Sequence, residues 1–288
     1  MTVNALPGWS RHGLLALWLI ASAVLAVPAR AESPHVRLAV VNTPAFSGLI
    51  DVLIEDFKAQ GGVAIDVYSG SDVYEKARSG GADMVISHYG KAEVERFVLD
   101  GLGLWPQMVF SNQLAIIGPK SDPAKIKGLT SAAEAMRRIA EAQAPFVVNE
   151  LHGISYISEV LWEAAGNPKK GDWYILGGVS KGRAIGYAEG KQAYVIWGAM
   201  PFLRYKGKHS SEMELMVTAD PMLQRVMASI RVNPEKAQGV NAEGARTFEK
   251  YLLSPRAQAR IASFRTPGAT EQLWWPAARN NAAEGLEE

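Results

Sequence analysis

Short β-rich runs alternate with amphipathic helical segments along most of this chain, and this alternation restricts the folds that it can adopt. Strands are predicted at residues 35–41, 63–68, 82–87, 109–110, 114–117, 145–149, 173–176, 193–197, 215–217 and 227–232. Helices are predicted at residues 47–60, 72–78, around 94–98, from 131, at 153–165 and 181–189, and from 241 and 254. Strands that alternate with helices in this way predict an α/β fold, with mainly parallel sheets flanked by helices.

Residues 1–31 have the pattern of a cleavable secretory leader. Arg11 and His12 form a short basic region, residues 13–27 are apolar, and an Ala-Arg-Ala site predicts cleavage after Ala31. The alternative is a transmembrane anchor, but such a helix needs about 20 apolar residues and this run stops before Pro28. We therefore expect a periplasmic protein.

Composition excludes several classes of protein and site. The chain has no cysteine, which excludes disulfides, thiolate metal sites, cysteine nucleophiles and a lipid anchor on cysteine. Its 30 basic and 29 acidic residues nearly balance, and no basic run with interleaved aromatics predicts a nucleic-acid partner. We expect a monomer without a cofactor.

The length predicts two lobes. After loss of the leader, 257 of the 288 residues remain (288 − 31), which suits two α/β lobes better than one. We expect the first lobe to comprise residues 32–112 and 226–276, the second 113–225, and a flexible tail at 277–288. Ligands of open parallel sheets bind beyond the carboxyl ends of the strands, where helices begin. Because helix N-termini carry free N–H groups, the expected ligand of the interlobe cleft is a small anion.

Polar residues that follow predicted strands are the candidate ligand contacts. They are Asn42, Thr43, Ser47, Ser69, Gly70, Ser71, His88, Asn149, Glu150, His152, Ser155, Lys181 and Trp197. For Ser47 the alternative is a helix N-cap, for the 69–71 segment an ordinary turn, and for His88 a structural hydrogen bond. Trp197 offers either a stacking face for a ligand or a packing residue between the lobes.

Two alternative interpretations are a hydrolase and a metal-binding protein. Residues 178–182 match the G-x-S-x-G pattern between a strand and a helix, so Ser180 is a candidate hydrolase nucleophile. The one later histidine is His209, within a stretch predicted to be a surface loop, 206–211. Among the histidines no pair has metal-ligand spacing along a helix, although a site built from His88, His152 and Glu150 across the cleft remains an alternative.

Several runs resemble one family. They are residues 42–49 (NTPAFSGL) with Asp51, 81–88 (GADMVISH) with Glu93 and Phe97, 118–119, 122–124, 145–146, 161–162, 165–166, 173–174, 232–234, 240–245 and 253–255. Together they resemble the tungstate-binding periplasmic components of ABC transporters, in order, over residues 36–266. The resemblance implies a two-lobed, type II-like binding protein that closes about a hinge and delivers its ligand to a permease.

The binding loops depart from the family pattern. Val148 stands where the family can place an arginine against the oxyanion, and residues 198–201 (GAMP) replace a D-R-G-T stretch. One interpretation keeps a tetrahedral oxyanion, with Lys181 or a protonated His152 supplying the positive charge. The alternatives are a neutral, zwitterionic or cationic ligand that contacts Glu150, His152 and Trp197, or a periplasmic sensor with the same fold.

Overall fold

The computed structural model describes residues 1–2, 35–268 and 272–278. All but the first two residues of the predicted leader, and residues 279–288 of the predicted tail, lie outside this part of the chain. The elements below belong to one compact unit, residues 32–288. No helix among the described residues has the length and apolar character needed to cross a membrane.

The strands form one mixed sheet within the described residues. In chain order they are β1 His35–Val41, β2 Ala64–Gly70, β3 Met84–His88, β4 Gln107–Gly118, β5 Phe146–Val147, β6 Tyr174–Ile175, β7 Tyr194–Gly198, β8 Glu214–Val217, β9 Gln224–Arg231 and β10 Trp275–Pro276. The order across the sheet is β2-β1-β3-β9-β4-β7-β5-β6, and β8 and β10 also pair with β4.

The helices follow the strands as an α/β fold requires. They are α1 Asn42–Phe46, α2 Leu49–Ala59, α3 Val73–Arg78, α4 Ala92–Leu99, α5 Ala132–Glu141, α6 His152–Ala164, α7 Gly182–Gly190, α8 Ala199–His209, α9 Ala242–Leu253 and α10 Pro255–Ser263.

Strand β4 joins two groups of strands. From Gln107 to Gln113 it pairs with β9, and from Leu114 to Ile117 it pairs with β7, both antiparallel. We call β1, β2, β3, β9, β10 and the first half of β4 the first lobe, with α1–α4, α9 and α10. The second half of β4 with β5–β8 and α5–α8 is the second lobe. Pairs within β1–β3 and within β5–β7 are parallel, so each lobe has the expected parallel part beside antiparallel strands.

Buried apolar side chains pack helices on both groups of strands. In the first lobe Leu38 and Phe57 are buried together with Phe248 of α9. In the second, Met136 of α5 and Leu161 of α6 pack against the strands. These cores fix the ends of the strands, and therefore fix where each strand-to-helix loop begins.

A buried carboxylate ties the C-terminal helices to α2. Asp56 accepts hydrogen bonds from the Arg256 guanidinium at 2.6 and 2.8 Å and from the Tyr251 hydroxyl at 3.0 Å. The hydrogen bonds from Arg256 are the main cause of a lowered Asp56 pKa, about 2, although burial opposes them. The carboxylate is therefore ionised in the folded protein over almost the whole pH range.

Most predicted elements are present, and the helices predicted from residues 131, 241 and 254 each begin with a cap at that residue. Ser131, Asn241 and Ser254 each accept a hydrogen bond from a first-turn N–H of α5, α9 and α10. The predicted cap at Ser47 is wrong, because Gly48 is the N-cap of α2, with φ +82°. The loop predicted at 206–211 is also wrong over most of its length, since α8 extends to His209.

Candidate functional site

The first strand-to-helix connection lies at the carboxyl end of β1. Asn42 and Thr43 belong to α1, which follows β1 without a loop. The Ser47 hydroxyl is buried, donates to the Pro44 carbonyl at 3.0 Å and accepts from Leu49 N–H at 3.3 Å. Its hydrogen bonds are therefore used within the turn between α1 and α2.

The segment 69–71 differs from its prediction as a turn. Ser69 and Gly70 are the last residues of β2, in register with Val40 and Val41 of β1, and Ser71 follows the strand. A Cβ atom at Gly70 would lie 2.5 Å from Asp72 Oδ1, so this carboxylate lies directly against the glycine. A negative charge at this distance disfavours an anion beside Gly70.

His88 ends β3 beside two positive charges. Burial, together with the charges of Lys91 and Arg225, lowers the pKa of its imidazole to about 3, against a hydrogen bond with Asn112 that raises it. Burial also lowers the pKa of Lys91, and Arg225 adds to that effect while Glu93 opposes it. His88 is therefore a neutral imidazole at neutral pH, in surroundings that are positively charged.

The loop after β5 is held by hydrogen bonds to the loop before α7. Asn149 is fully buried, and its Oδ1 accepts from Lys181 N–H at 3.0 Å and from Leu151 N–H at 3.4 Å. Its Nδ2 atom is buried and has no hydrogen-bond partner in the described part of the chain. An unpartnered buried donor costs free energy, which an oxygen atom of a ligand would recover.

Glu150 belongs to the same pair of loops, but its carboxylate is engaged. Gly178 N–H donates to Glu150 Oε1 at 2.7 Å, and Glu150 N–H donates to the Val179 carbonyl at 2.9 Å. His152 and Ser155 lie in the first turn of α6, where the Ser155 hydroxyl donates to the His152 carbonyl at 3.0 Å. The structure thus gathers four of the predicted residues, together with the Lys181 backbone, at one end of the second lobe.

Lys181 and Trp197 have described contacts within the second lobe. Lys181 is the N-cap of α7, with φ +55° and ψ −138°, a conformation that few residues other than glycine adopt. The Trp197 ring packs against the Tyr205 ring at 6.4 Å between centres, and a Cβ atom at Gly182 would lie 3.7 Å from it. Their ligand contacts stay predictions.

Arg225 on β9 is a residue that the sequence predictions missed. It is in register with Asn112 of β4, at the junction between the two lobes. Its Nη2 atom would lie 3.5 Å from a Cβ atom at Gly153, the second residue of α6, so the guanidinium of one lobe faces the N-terminal turn of the other. Burial lowers its pKa, and within residues 35–268 and 272–278 it forms no ion pair. A partly buried cation without a counter-charge is the electrostatic arrangement of an anion site.

The described residues do not have the geometry that a hydrolase triad or a metal site would need. Ser180 and His209 both line a hollow of about 780 Å³ between α7 and α8. The His209 ring stacks on Tyr205 at 4.3 Å between centres, and no hydrogen bond joins it to Ser180 among the described contacts. In the described part of the chain, no three histidine or acidic side chains cluster closely enough to hold a metal ion.

Comparison with known proteins shows which family this chain is similar to. A model of the PBP superfamily domain matches residues 28–256. The chain is 30% identical over 232 residues to the tungstate-binding protein TupA of Peptoclostridium acidaminophilum, covering 79% of this chain and 80% of the relative. It is 31% identical over 253 residues to a putative ABC transporter anion-binding protein of Haloferax volcanii, covering 86% and 73%.

Solved structures of tungstate-binding proteins are also similar to this chain. A tungstate-binding protein TupA from Desulfovibrio alaskensis superposes with a TM-score of 0.72 at 26% identity, covering 85% of this chain and 100% of that one. A tungstate ABC transporter structure from Geobacter sulfurreducens superposes with a TM-score of 0.66 at 27% identity, covering 80% and 98%. These similarities extend over both lobes and the β4 junction.

Proposed function

We propose, because this chain belongs to the PBP superfamily, that it is a periplasmic solute-binding protein that captures a tetrahedral oxyanion for an ABC transporter. Tungstate is the first candidate, since relatives over most of the chain are a tungstate-binding protein and a putative anion-binding protein. Capture and delivery involve no chemical step on the ligand. The site that we propose lies between the first turn of α6 and the junction of β4 with β9.

The observation that carries this proposal is that Arg225, which has no ion pair in the described part of the chain, faces Gly153. A dianion between the guanidinium and the α6 N-terminus would receive charge-assisted hydrogen bonds from both sides. The His152 and Gly153 N–H groups at the start of α6 have no partner among the described hydrogen bonds. Arg225 therefore supplies, from the junction strand, the positive charge that Val148 lacks in the second-lobe loop.

The charges of the side chains near Arg225 favour a dianion. Lys91 adds a second cation, whose charge acts on His88 and whose own pKa the charge of Arg225 lowers. Glu150, the carboxylate whose charge would repel a dianion, is bonded to Gly178 N–H. Two cations, with Glu93 near Lys91 and a neutral imidazole at His88, favour an oxyanion over a cationic ligand.

Closure of the lobes would complete the site. Strand β4 changes partner between Gln113 and Leu114, and the chain crosses back at Leu223–Gln224, so two adjacent strands form the junction. We propose that the lobes rotate about these two crossings, near the expected lobe boundaries at 112/113 and 225/226. Opening would separate the α6 N-terminus from Arg225 and admit the anion, and closure would bring the two together around it, where the removal of water would strengthen each hydrogen bond.

A thermal shift series tests the proposal. A ligand at about 100 times its Kd stabilises a protein by about 2.7 kcal/mol, which corresponds to a Tm increase of roughly 5–11 °C for a chain of this size. We expect tungstate and molybdate to give such a shift at constant ionic strength, and sodium chloride to give none. If tungstate, molybdate, sulfate and phosphate all leave the Tm unchanged at millimolar concentration, the proposal is wrong.

A further inference from the structure

One cation–π contact connects the two lobes. The Phe46 ring, at the end of α1 in the first lobe, lies 4.5 Å from the guanidinium carbon of Arg204 on α8 in the second lobe. The other cation–π contacts of the described residues join residues of one lobe, as Arg78 with Phe97 and Lys191 with Tyr187 do. The Phe46–Arg204 contact therefore exists only while the lobes are near each other.

Neither residue has another structural role that explains its position. Phe46 is 55% exposed, so its ring contributes little to the core of the first lobe. Arg204 is exposed and forms no ion pair within the described residues. A guanidinium stacks flat on an aromatic face and keeps its N–H groups in water, so the pair forms without the cost of burying a charge.

The pair also lies on the parts of the two lobes that face the cleft. Helix α1 follows the carboxyl end of β1, and α8 follows the carboxyl end of β7, so both belong to the edges that face the cleft. Thr43, a predicted ligand contact, precedes Phe46 by three residues on the same short helix. A contact that closes α1 against α8 would hold this part of the cleft shut.

We propose that Phe46 and Arg204 form an interlobe clasp that stabilises the closed state and slows the release of the bound anion. The release role depends on the proposed function, whereas the effect on lobe distance does not. An exposed cation–π contact changes an equilibrium by about two- to five-fold. The clasp therefore adjusts the balance between open and closed states without locking it, as a protein that must release its ligand to a permease requires.

Distance measurement between the lobes tests the clasp without any ligand. Because the chain has no cysteine, spin labels can be attached at Leu99→Cys of α4 and Glu163→Cys of α6, one in each lobe and both exposed. We expect Arg204→Met and Phe46→Leu each to shift the distance distribution of the ligand-free protein toward longer distances. Arg183→Met is the matched control, since Arg183 is an exposed arginine of α7 with no contact to the first lobe among the described residues.

Tungstate release is the second measurement. We expect Arg204→Met and Phe46→Leu each to raise the dissociation rate by about two- to five-fold, the double variant to add nothing further, and Arg204→Lys to retain part of the effect. Unchanged lobe distances in both variants overturn the clasp. Altered distances with unaltered tungstate release overturn its role in ligand retention. If the wild type binds no oxyanion while the distances still respond, the clasp stands and the proposed function fails.

Discussion

Replacement of Arg225 by glutamine should have opposite effects on ligand binding and on the stability of the ligand-free protein. Glutamine keeps a hydrogen-bonding side chain on β9 but removes the charge. In the bound state, the loss of a charged partner from a hydrogen-bonded charge pair costs about 2–5 kcal/mol. Since Arg225 is only partly buried, we take a value of about 3 kcal/mol, which weakens tungstate binding on the order of 100-fold at 1.4 kcal/mol per factor of ten.

The ligand-free protein should instead become more stable. Arg225 is desolvated enough for burial to lower its pKa, and no described carboxylate compensates for this. Full burial of an ion costs several kcal/mol, so relief of a partial burial should contribute on the order of 1 kcal/mol and raise the Tm by about 2–4 °C. A purely structural arginine would show the reverse sign.

Two assays separate these effects. Isothermal titration calorimetry with tungstate gives the affinity, and differential scanning calorimetry of dialysed protein gives the Tm. Arg225→Lys should retain part of the affinity because it keeps the charge, and Arg183→Gln, an exposed arginine of the second lobe, should change neither quantity. The reasoning is refuted if Arg225→Gln binds tungstate with the affinity of the wild type, or if its ligand-free Tm falls.

Two further substitutions test the site and the fold separately. Gly153→Ala places a methyl group 3.5 Å from Arg225 Nη2, an ordinary contact, so it should fill the proposed anion position and lower tungstate affinity at least tenfold. The Tm should stay constant or rise, because alanine favours a helix by up to about 1 kcal/mol. A fall in Tm without loss of binding would contradict this prediction. Asp56→Asn should destabilise the protein at neutral pH. The hydrogen bonds from Arg256 and Tyr251 lower the Asp56 pKa to about 2 in the folded protein. The ionised carboxylate therefore stabilises the fold at every pH above the pKa that Asp56 has in the unfolded chain. The difference in free energy of unfolding between the wild type and this variant should shrink as the pH falls from about 4 to 2. Urea unfolding at a series of pH values would measure it, and a difference that stays constant would show that Asp56 ionisation does not stabilise the fold.

The sequence predicted correctly those elements that depend on residues close together in the chain. Strand β1 has its predicted bounds, His35–Val41, and the caps at Ser131, Asn241 and Ser254 make the expected hydrogen bonds. These features depend on residues within one turn of each other, so tertiary structure has little opportunity to override them.

The missed helices both contain an early proline. Pro44 is the third residue of α1 and Pro201 the third of α8, and the sequence analysis predicted neither helix. A backbone N–H in the first turn of a helix has no helical acceptor, so proline, which lacks an N–H, is tolerated there. The polar residues 206–209 resemble a loop in isolation, but they form the exposed end of α8 after its buried Phe202.

The register of β1 explains the difference at residues 69–70. The ladder with β1 continues to the pair Val41–Gly70, which extends β2 beyond Tyr68, the end that composition suggested. Serine and glycine have weak strand preference, so only the neighbouring strand reveals this extension. Seven residues of β1 pair with seven of β2, and pairing outweighs propensity here.

Arg225 shows why the candidate site was harder to predict than the fold. In the sequence it is one charged residue in a β-rich run, and Arg231 on the same strand looks equivalent. Tertiary structure separates them, because Arg231 donates to Glu249 at 2.7 Å whereas Arg225 meets the first turn of α6. The expected lobe boundary at 225/226 was the available signal, since a charge at a crossing between lobes is placed to face the cleft.

The position of Arg225 also changes how binding and closure are coupled. Val148, where the related family can place an arginine, is buried in the apolar core of the second lobe, 3% exposed, so this position contributes packing and no charge. A cation on the second-lobe loop would move with that lobe. Arg225 instead lies on the strand about which the lobes would turn, so its distance to a ligand held in the first lobe changes little on closure. The charge would then attract the anion into the open form, and the α6 N–H groups would supply the part of the binding free energy that depends on closure. Gly153→Ala should therefore act mainly on the closed state, and Arg225→Gln on both states.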